Sequence, residues 1–184
     1  METTACSTKI KTETPECQAK HRRRNIIVAG AIVVVAIVWY LFRPELLFIN
    51  KNVDELFPVT TAGEPRGALL GQSRAQGTFH SAAHETKGTA TIYEVGGGKR
   101  VLRLTEFATS NGPDVHVLLG KAGDASDNAT VKDAGYFDLG SLKGNIGDQN
   151  YEIPTDVNPS DFKSVTIWCN RFSVNFGTAP LQLN

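Results

Sequence analysis

Seventeen consecutive residues without a charge, Ile26 to Phe42 (IIVAGAIVVVAIVWYLF), constrain this chain more than any other feature. At about 1.5 Å of rise per residue, a helix of that length covers roughly 25 Å, a little short of the roughly 30 Å hydrocarbon core of a bilayer. The ends of the run make up the difference. Trp39 and Tyr40 are residues that favour the membrane interface, and His21-Arg22-Arg23-Arg24 sets a positive block at the opposite end. A cleaved signal peptide shares the basic start and apolar run, but its run is shorter and small residues follow it. Here Trp39-Tyr40-Leu41-Phe42-Arg43-Pro44 is bulky, so the expectation is one retained transmembrane helix over 26–42.

Charge asymmetry sets the orientation, because basic flanks resist translocation. Lys9, Lys11, Lys20, Arg22, Arg23 and Arg24 precede the run, whereas only Arg43 and Lys51 follow it within a similar distance. Residues 1–25 are therefore expected to be a cytoplasmic, disordered basic tail, with the C-terminal domain on the outer side of the cell membrane. Removing the six tail basics and three tail acids from nineteen of each leaves thirteen basic and sixteen acidic residues outside, a net charge of −3. No basic stripe interleaved with aromatics occurs there, which argues against nucleic acid as a partner.

From Pro44 to about Gln72 the chain carries Leu46-Leu47-Phe48-Ile49 and then Pro58, Gly63, Pro65 and Gly67, so 43–71 reads as a stalk. The remaining residues, 72–184, suffice for one compact domain. Short extended runs fill it: Thr89 to Val95, Val101 to Phe107, Val115 to Leu119, Gly135 to Gly140, Tyr151 to Ile153, Val165 to Cys169 and Phe172 to Phe176. Gly96-Gly97-Gly98 and Asn111-Gly112-Pro113 punctuate them, and no segment keeps a helical period over three turns. The expected class is all-β, an antiparallel sandwich or barrel-like ectodomain preceded by one transmembrane helix.

The last two runs differ in parity. Val165, Ile167 and Cys169 share one face, whereas Phe172, Val174 and Phe176 have the opposite parity, so a bulge or a tight turn at Asn170-Arg171 must reset the register. Cys6 and Cys17 lie in the tail, leaving Cys169 as the single cysteine of the domain and excluding a disulfide framework there.

Phe107, Asn111-Gly112-Pro113-Asp114-Val115-His116-Val117, Asp138-Leu139-Gly140, Leu142-Lys143-Gly144-Asn145, Gly147-Asp148-Gln149-Asn150-Tyr151, Ile153-Pro154 and Val165 through Gly177 follow one another in an order and spacing that resembles the DM-thirteen domain. The resemblance runs from about Gly77 to Leu181. It implies a small extracytoplasmic β-sandwich, an electron-transfer or redox role centred on the family's cysteine, which falls on Cys169, and a redox partner protein. In animals such domains stand beside DOMON and b-type cytochrome membrane domains.

Read from the residues alone, a thiol works as nucleophile, ligand or redox centre only as thiolate, and Arg171 is the nearby cation in sequence. Imidazole with thiolate suits copper, zinc and iron, which makes His84 and His116 the candidate cofactor-binding partners of Cys169 and haem or copper the cofactor expected of such a site, its identity and any metal being unknown. His80 is a further imidazole. His116 alternates with Val115 and Val117 and so faces away from the more apolar side. Against these stands packing: free cysteine is among the most buried residue types, histidines outside ligand spacings are commonly solvated or capping, and Asp114 after Gly-Pro suits a turn. Gly-x-Ser-x-Gly, Walker and His-Glu-x-x-His motifs are absent. Two functions remain: a membrane-anchored extracytoplasmic redox module, or a non-catalytic binding or adhesion sandwich.

Overall fold

The computed structural model describes residues 15–42, 49–57 and 71–183; residues 1–14, most of the expected stalk and residue 184 lie outside the described residues. The chain divides into two units, Met1–Arg43 and Pro44–Asn184. The first contains α1 (Pro15–Phe42). Within it Arg23–Tyr40 is long and apolar enough to cross a membrane, and none of that window is buried by protein. The helix starts eleven residues before the apolar run, so residues 15–25, expected to belong to a disordered tail, are helical. Pro15 opens the helix, where its missing N–H costs nothing, and Glu16, Gln18, Ala19 and Lys20 are good helix formers. Extending a nucleated helix needs one hydrogen bond per residue fixed, so the apolar run propagates backwards through them.

Among the described residues the second unit has ten strands: β1 (Gln72–Thr78), β2 (His80–Ser81), β3 (Thr86–Val95), β4 (Lys99–Thr109), β5 (Val115–Gly120), β6 (Tyr136–Ser141), β7 (Gln149–Ile153), β8 (Ser164–Cys169), β9 (Val174–Pro180) and β10 (Gln182–Leu183). A short helix, α2 (Asn128–Ala134), lies between β5 and β6. The strands form two five-stranded sheets, in the orders β10-β1-β3-β4-β7 and β2-β9-β8-β5-β6, and all strand pairings are antiparallel. The all-β sandwich expected from the alternating runs is what the chain adopts. Between the sheets, Ile92, Leu102, Leu104 and Ile153 of one meet Val117, Leu119, Val165 and Ile167 of the other in one buried cluster. The side chains of alternate residues share a face, so each of these strands turns one apolar edge inward.

The strand β1 (QSRAQGT) carries almost no apolar signal, and pairing with β3 and β10 rather than propensity makes it a strand. The β8–β9 connection settles how the parity changes. Cys169 faces Val174 across a turn over residues 170–173, so the turn itself brings an odd and an even residue onto one face. Phe172 is consequently 56% exposed in that turn, outside the strand expected to contain it. A register shift follows opposite Ile167/Trp168, where Phe176 is inserted between Asn175 and Gly177 and packs inward.

Residues 49–57, part of the expected stalk, lie along the loop that leads into β7. Val53 N–H donates to Ile146 O at 2.9 Å, Ile146 N–H to Lys51 O at 3.3 Å, and Glu55 N–H to Asp148 O at 2.9 Å. Gly147 has φ +100°, and a Cβ there would collide with the carbonyl oxygen of Val53, so this position suits only glycine.

Candidate functional site

The loops after β4 and β6 bring the sequence motifs to one end of the sandwich. Thr109 N–H donates to Asn145 O at 2.8 Å, and Asn145 Nδ2 returns a bond to Thr109 O at 3.1 Å. Asn50 Oδ1 accepts from both Asn111 Nδ2 and Asn145 Nδ2, each at 3.0 Å. The result is a cleft of about 240 Å³ whose walls are Ser110–Val115, Ser141–Asn145 and, from the segment 49–57, Ile49 and Lys51.

Cys169 is fully buried, is a free thiol, and belongs to the inter-sheet cluster. Its ladder neighbours are Val115 on β5 and Val174 on β9. Val115 also lines the cleft, so the ladder neighbour of Cys169 forms part of that cavity's wall. The backbone holds this corner firmly, since Asn170 N–H donates to Asp114 O at 2.9 Å. Trp168, one residue back, points to the outer face and packs with Leu118, Ala125 and Val131 under α2.

His116 pairs with Trp168 across the β5–β8 ladder and therefore lies on that outer face. Cys169 and His116 thus occupy opposite faces of one sheet and cannot ligate the same ion. His116 is only 17% exposed, with Nδ1 2.8 Å from Asp138 Oδ2 and Nε2 3.2 Å from Asp114 Oδ1. Ser141 Oγ lies 3.4 Å from the same Nε2. His84 sits in the connection before β3, where its N–H donates to Phe176 O and its ring stacks on Phe176 at 3.9 Å between centroids. His80 pairs with Asp124 at 2.7 Å. Among the described residues no three His, Cys, Asp or Glu side chains converge as a metal-ligand group. The donor set offered by Cys169, His84 and His116 does not fit a bound copper or haem, because the three side chains are separated by the sheet and by Phe176.

A second charged group secures the cleft's outer wall. Lys143 Nζ donates to both carboxylate oxygens of Glu55, at 2.8 and 2.9 Å, and to Asn150 O at 2.6 Å. Arg103 Nη2 pairs with Asp148 at 2.6 Å, while its Nη1 donates to Glu55 O at 3.0 Å. Burial alone would raise the Glu55 carboxyl, but the hydrogen bonds from Lys143 and the Asn150 N–H, with the charges of Lys143 and Arg103, hold it below its ordinary value. Sequence reasoning missed Glu55 and Ser141 altogether. Neither has a local signature, since each acquires its partners from strands or loops more than twenty residues away.

Fold and site together define a two-sheet antiparallel sandwich with one sequestered thiol beside a cleft made of its own motif loops. The family model described as Electron transfer DM13 matches residues 78–181, more than half of the chain, and the chain belongs to that electron-transfer domain family. No curated protein and no solved structure matches the chain.

Proposed function

We propose that this protein is a membrane-tethered electron-transfer domain in which Cys169 is the redox centre and a redox partner protein supplies and removes the electron. The reading rests on membership of the electron-transfer family, and the observation that carries it to a residue is the position of Cys169: free, buried, and one ladder neighbour from the cleft. Oxidation would take one electron from Cys169 to the oxidised partner and release the thiol proton; a reduced donor returns the electron and the proton is taken up again. Complete burial keeps solution oxidants from carrying the sulfur further along its oxidation ladder. Tethering by α1, with residues N-terminal to it in the cytoplasm and the β domain outside, is the part of this reading supported by the apolar window and by the basic residues that precede it.

The test is Cys169→Ser in the full chain. With Cys6→Ser and Cys17→Ser in both proteins to remove the other two thiols, stepwise anaerobic oxidation, followed by electron paramagnetic resonance and mass spectrometry, should give one reversible oxidising equivalent where Cys169 is kept and none where it is serine. A second reading has one observation in its favour, namely that Cys169 packs in the core like any small hydrophobe. A binding or adhesion module built on that packing predicts no redox difference, only a stability loss of roughly 1–3 kcal/mol where the serine hydroxyl lacks a partner.

A further inference from the structure

The side chains around His116 are arranged for a chemistry that electron transfer does not use. Asp138 and Ser141 are three residues apart, so in a regular strand they would point to opposite faces. They do not, because the β5–β6 ladder shifts register between His116 and Leu118: His116 faces Ser141, Leu118 faces Asp138, and Leu139 and Gly140 together oppose the single Val117, one residue more than a regular ladder holds. Gly140 has φ +108°, and its N–H donates to Asp138 Oδ1 at 2.8 Å, which fixes the carboxylate. Bulges re-aim side chains in this way beside functional sites.

We propose that Ser141, His116 and Asp138 form an acyl-transfer site opening on the cleft, with Ser141 as nucleophile toward small, uncharged, activated esters. Asp138 Oδ2 at 2.8 Å from Nδ1 holds the ring so that Nε2 faces the Ser141 hydroxyl at 3.4 Å, a spacing expected to tighten when substrate is bound. Ser141 is exposed and lines the 240 Å³ cleft, while the His116 side chain is largely buried and is not among the cleft's walls. In the first step the Oγ–H proton passes to Nε2 as Oγ bonds to the acyl carbon. The ester C–O bond then breaks, and the leaving alcohol takes the proton from Nε2. Water attacks the acyl-serine in the second step, losing a proton to Nε2; the acyl–Oγ bond then breaks, Oγ takes that proton back from Nε2, and the carboxylic acid leaves with Ser141 and His116 restored. Asp138, with Asp114 Oδ1 3.2 Å from Nε2, stabilises the imidazolium formed in each step.

The oxyanion side is the weak part and limits the substrate. The amides following Ser141 are committed: Leu142 N–H to Val115 O, Lys143 N–H to the Tyr151 hydroxyl, and Gly144 N–H to Gln149 Oε1. Each absent oxyanion donor costs on the order of 10²–10³ in rate. Lys51, which lines the cleft and makes no ion pair among the described residues, is the charge left to meet the developing oxyanion. Good leaving groups are therefore required, and the Asp114 carboxylate at the cleft wall disfavours anionic acyl groups.

The experiment uses the full chain in detergent with p-nitrophenyl acetate, read by p-nitrophenol release and by peptide mapping for an acetyl adduct. Wild type should acquire one acetyl group on Ser141. Ser141→Ala should abolish it, His116→Gln should slow acylation by about 10²-fold or more, and Asp138→Asn should slow it while moving the pH–rate profile. Ser160→Ala, at an exposed serine away from the cleft, is the reference that leaves acylation unchanged. Circular dichroism checks that each variant is folded, and Asp138→Asn carries the test if His116→Gln is not. An adduct distributed over other residues, or Ser141 acylating no faster in wild type than in folded His116→Gln and Asp138→Asn, overturns the proposal. The Cys169 redox measurement is independent of this outcome, because Ser141→Ala leaves Cys169 and its neighbours in place.

Discussion

Tyr151 lies between the core and the loop that carries the cleft, its hydroxyl donating to Gln149 Oε1 at 2.9 Å and accepting from Lys143 N–H at 3.0 Å. Burial pushes its phenol up to about 12, with the Lys143 N–H bond opposing and the Glu55 charge adding to the rise. A tyrosine in the unfolded chain titrates near 10. Because the folded value is the higher one, this stabilisation is present in full below about pH 10 and is lost as pH rises through about 12; a two-unit difference corresponds to about 2–3 kcal/mol. Guanidinium unfolding of the β domain at pH 8 and at pH 11.5 should show that loss, and Tyr151→Phe should remove the alkaline dependence while costing roughly 1–3 kcal/mol at neutral pH, since Gln149 and the Lys143 amide each lose a partner. Equal alkaline losses in wild type and Tyr151→Phe would assign the effect to other groups.

At the scale of elements, the segment 49–57 behaves as part of the domain and not as a spacer. It lends Asn50 to Asn111 and Asn145, Glu55 to Lys143, and Phe57 to Tyr93, whose ring it meets edge-on at 4.8 Å. Since the Glu55 carboxyl is held below its ordinary value, its contribution is present above the unfolded value, near 4.5, and is lost as pH falls. Glu55→Gln should lower stability by about 1 kcal/mol at pH 6 and by less at pH 3.5. Gly147→Ala, at φ +100° and against Val53, should cost more, about 1–3 kcal/mol. Both are read from denaturation midpoints, and a domain beginning at residue 72 that unfolds at the same midpoint as one beginning at residue 44 contradicts the assignment.

For the whole molecule the decisive property is sidedness. With Lys9, Lys11, Lys20 and Arg22 to Arg24 ahead of the apolar window, protease added outside intact cells or spheroplasts should digest the chain beyond Arg43 and spare the residues before Ile26. Digestion of the tail with protection of the β domain reverses the orientation, and loss of the N-terminal segment from the mature protein makes it a cleaved signal.

Local sequence determined the apolar helix and the alternation of the core strands, because both depend on residue types at fixed spacing along one segment. Alternation even placed His116 on the face of β5 away from Val115, Val117 and Leu119, and Cys169 on one face of β8 with Val165 and Ile167. Which strands distant in the chain are neighbours was not written there. Only the tertiary structure decided that β5 lies against β8, which sets Cys169 and His116 on opposite faces of one sheet and dissolves the ligand set they suggested. It also decided that β1, with its polar run, joins the first sheet, that Glu55 reaches Lys143, and that a bulge at Leu139-Gly140 brings Asp138 and Ser141 to one histidine. Each of these depends on pairing between segments distant in the chain, where packing and register outweigh local preference, so the physical cause lies outside any window of the sequence that could announce it.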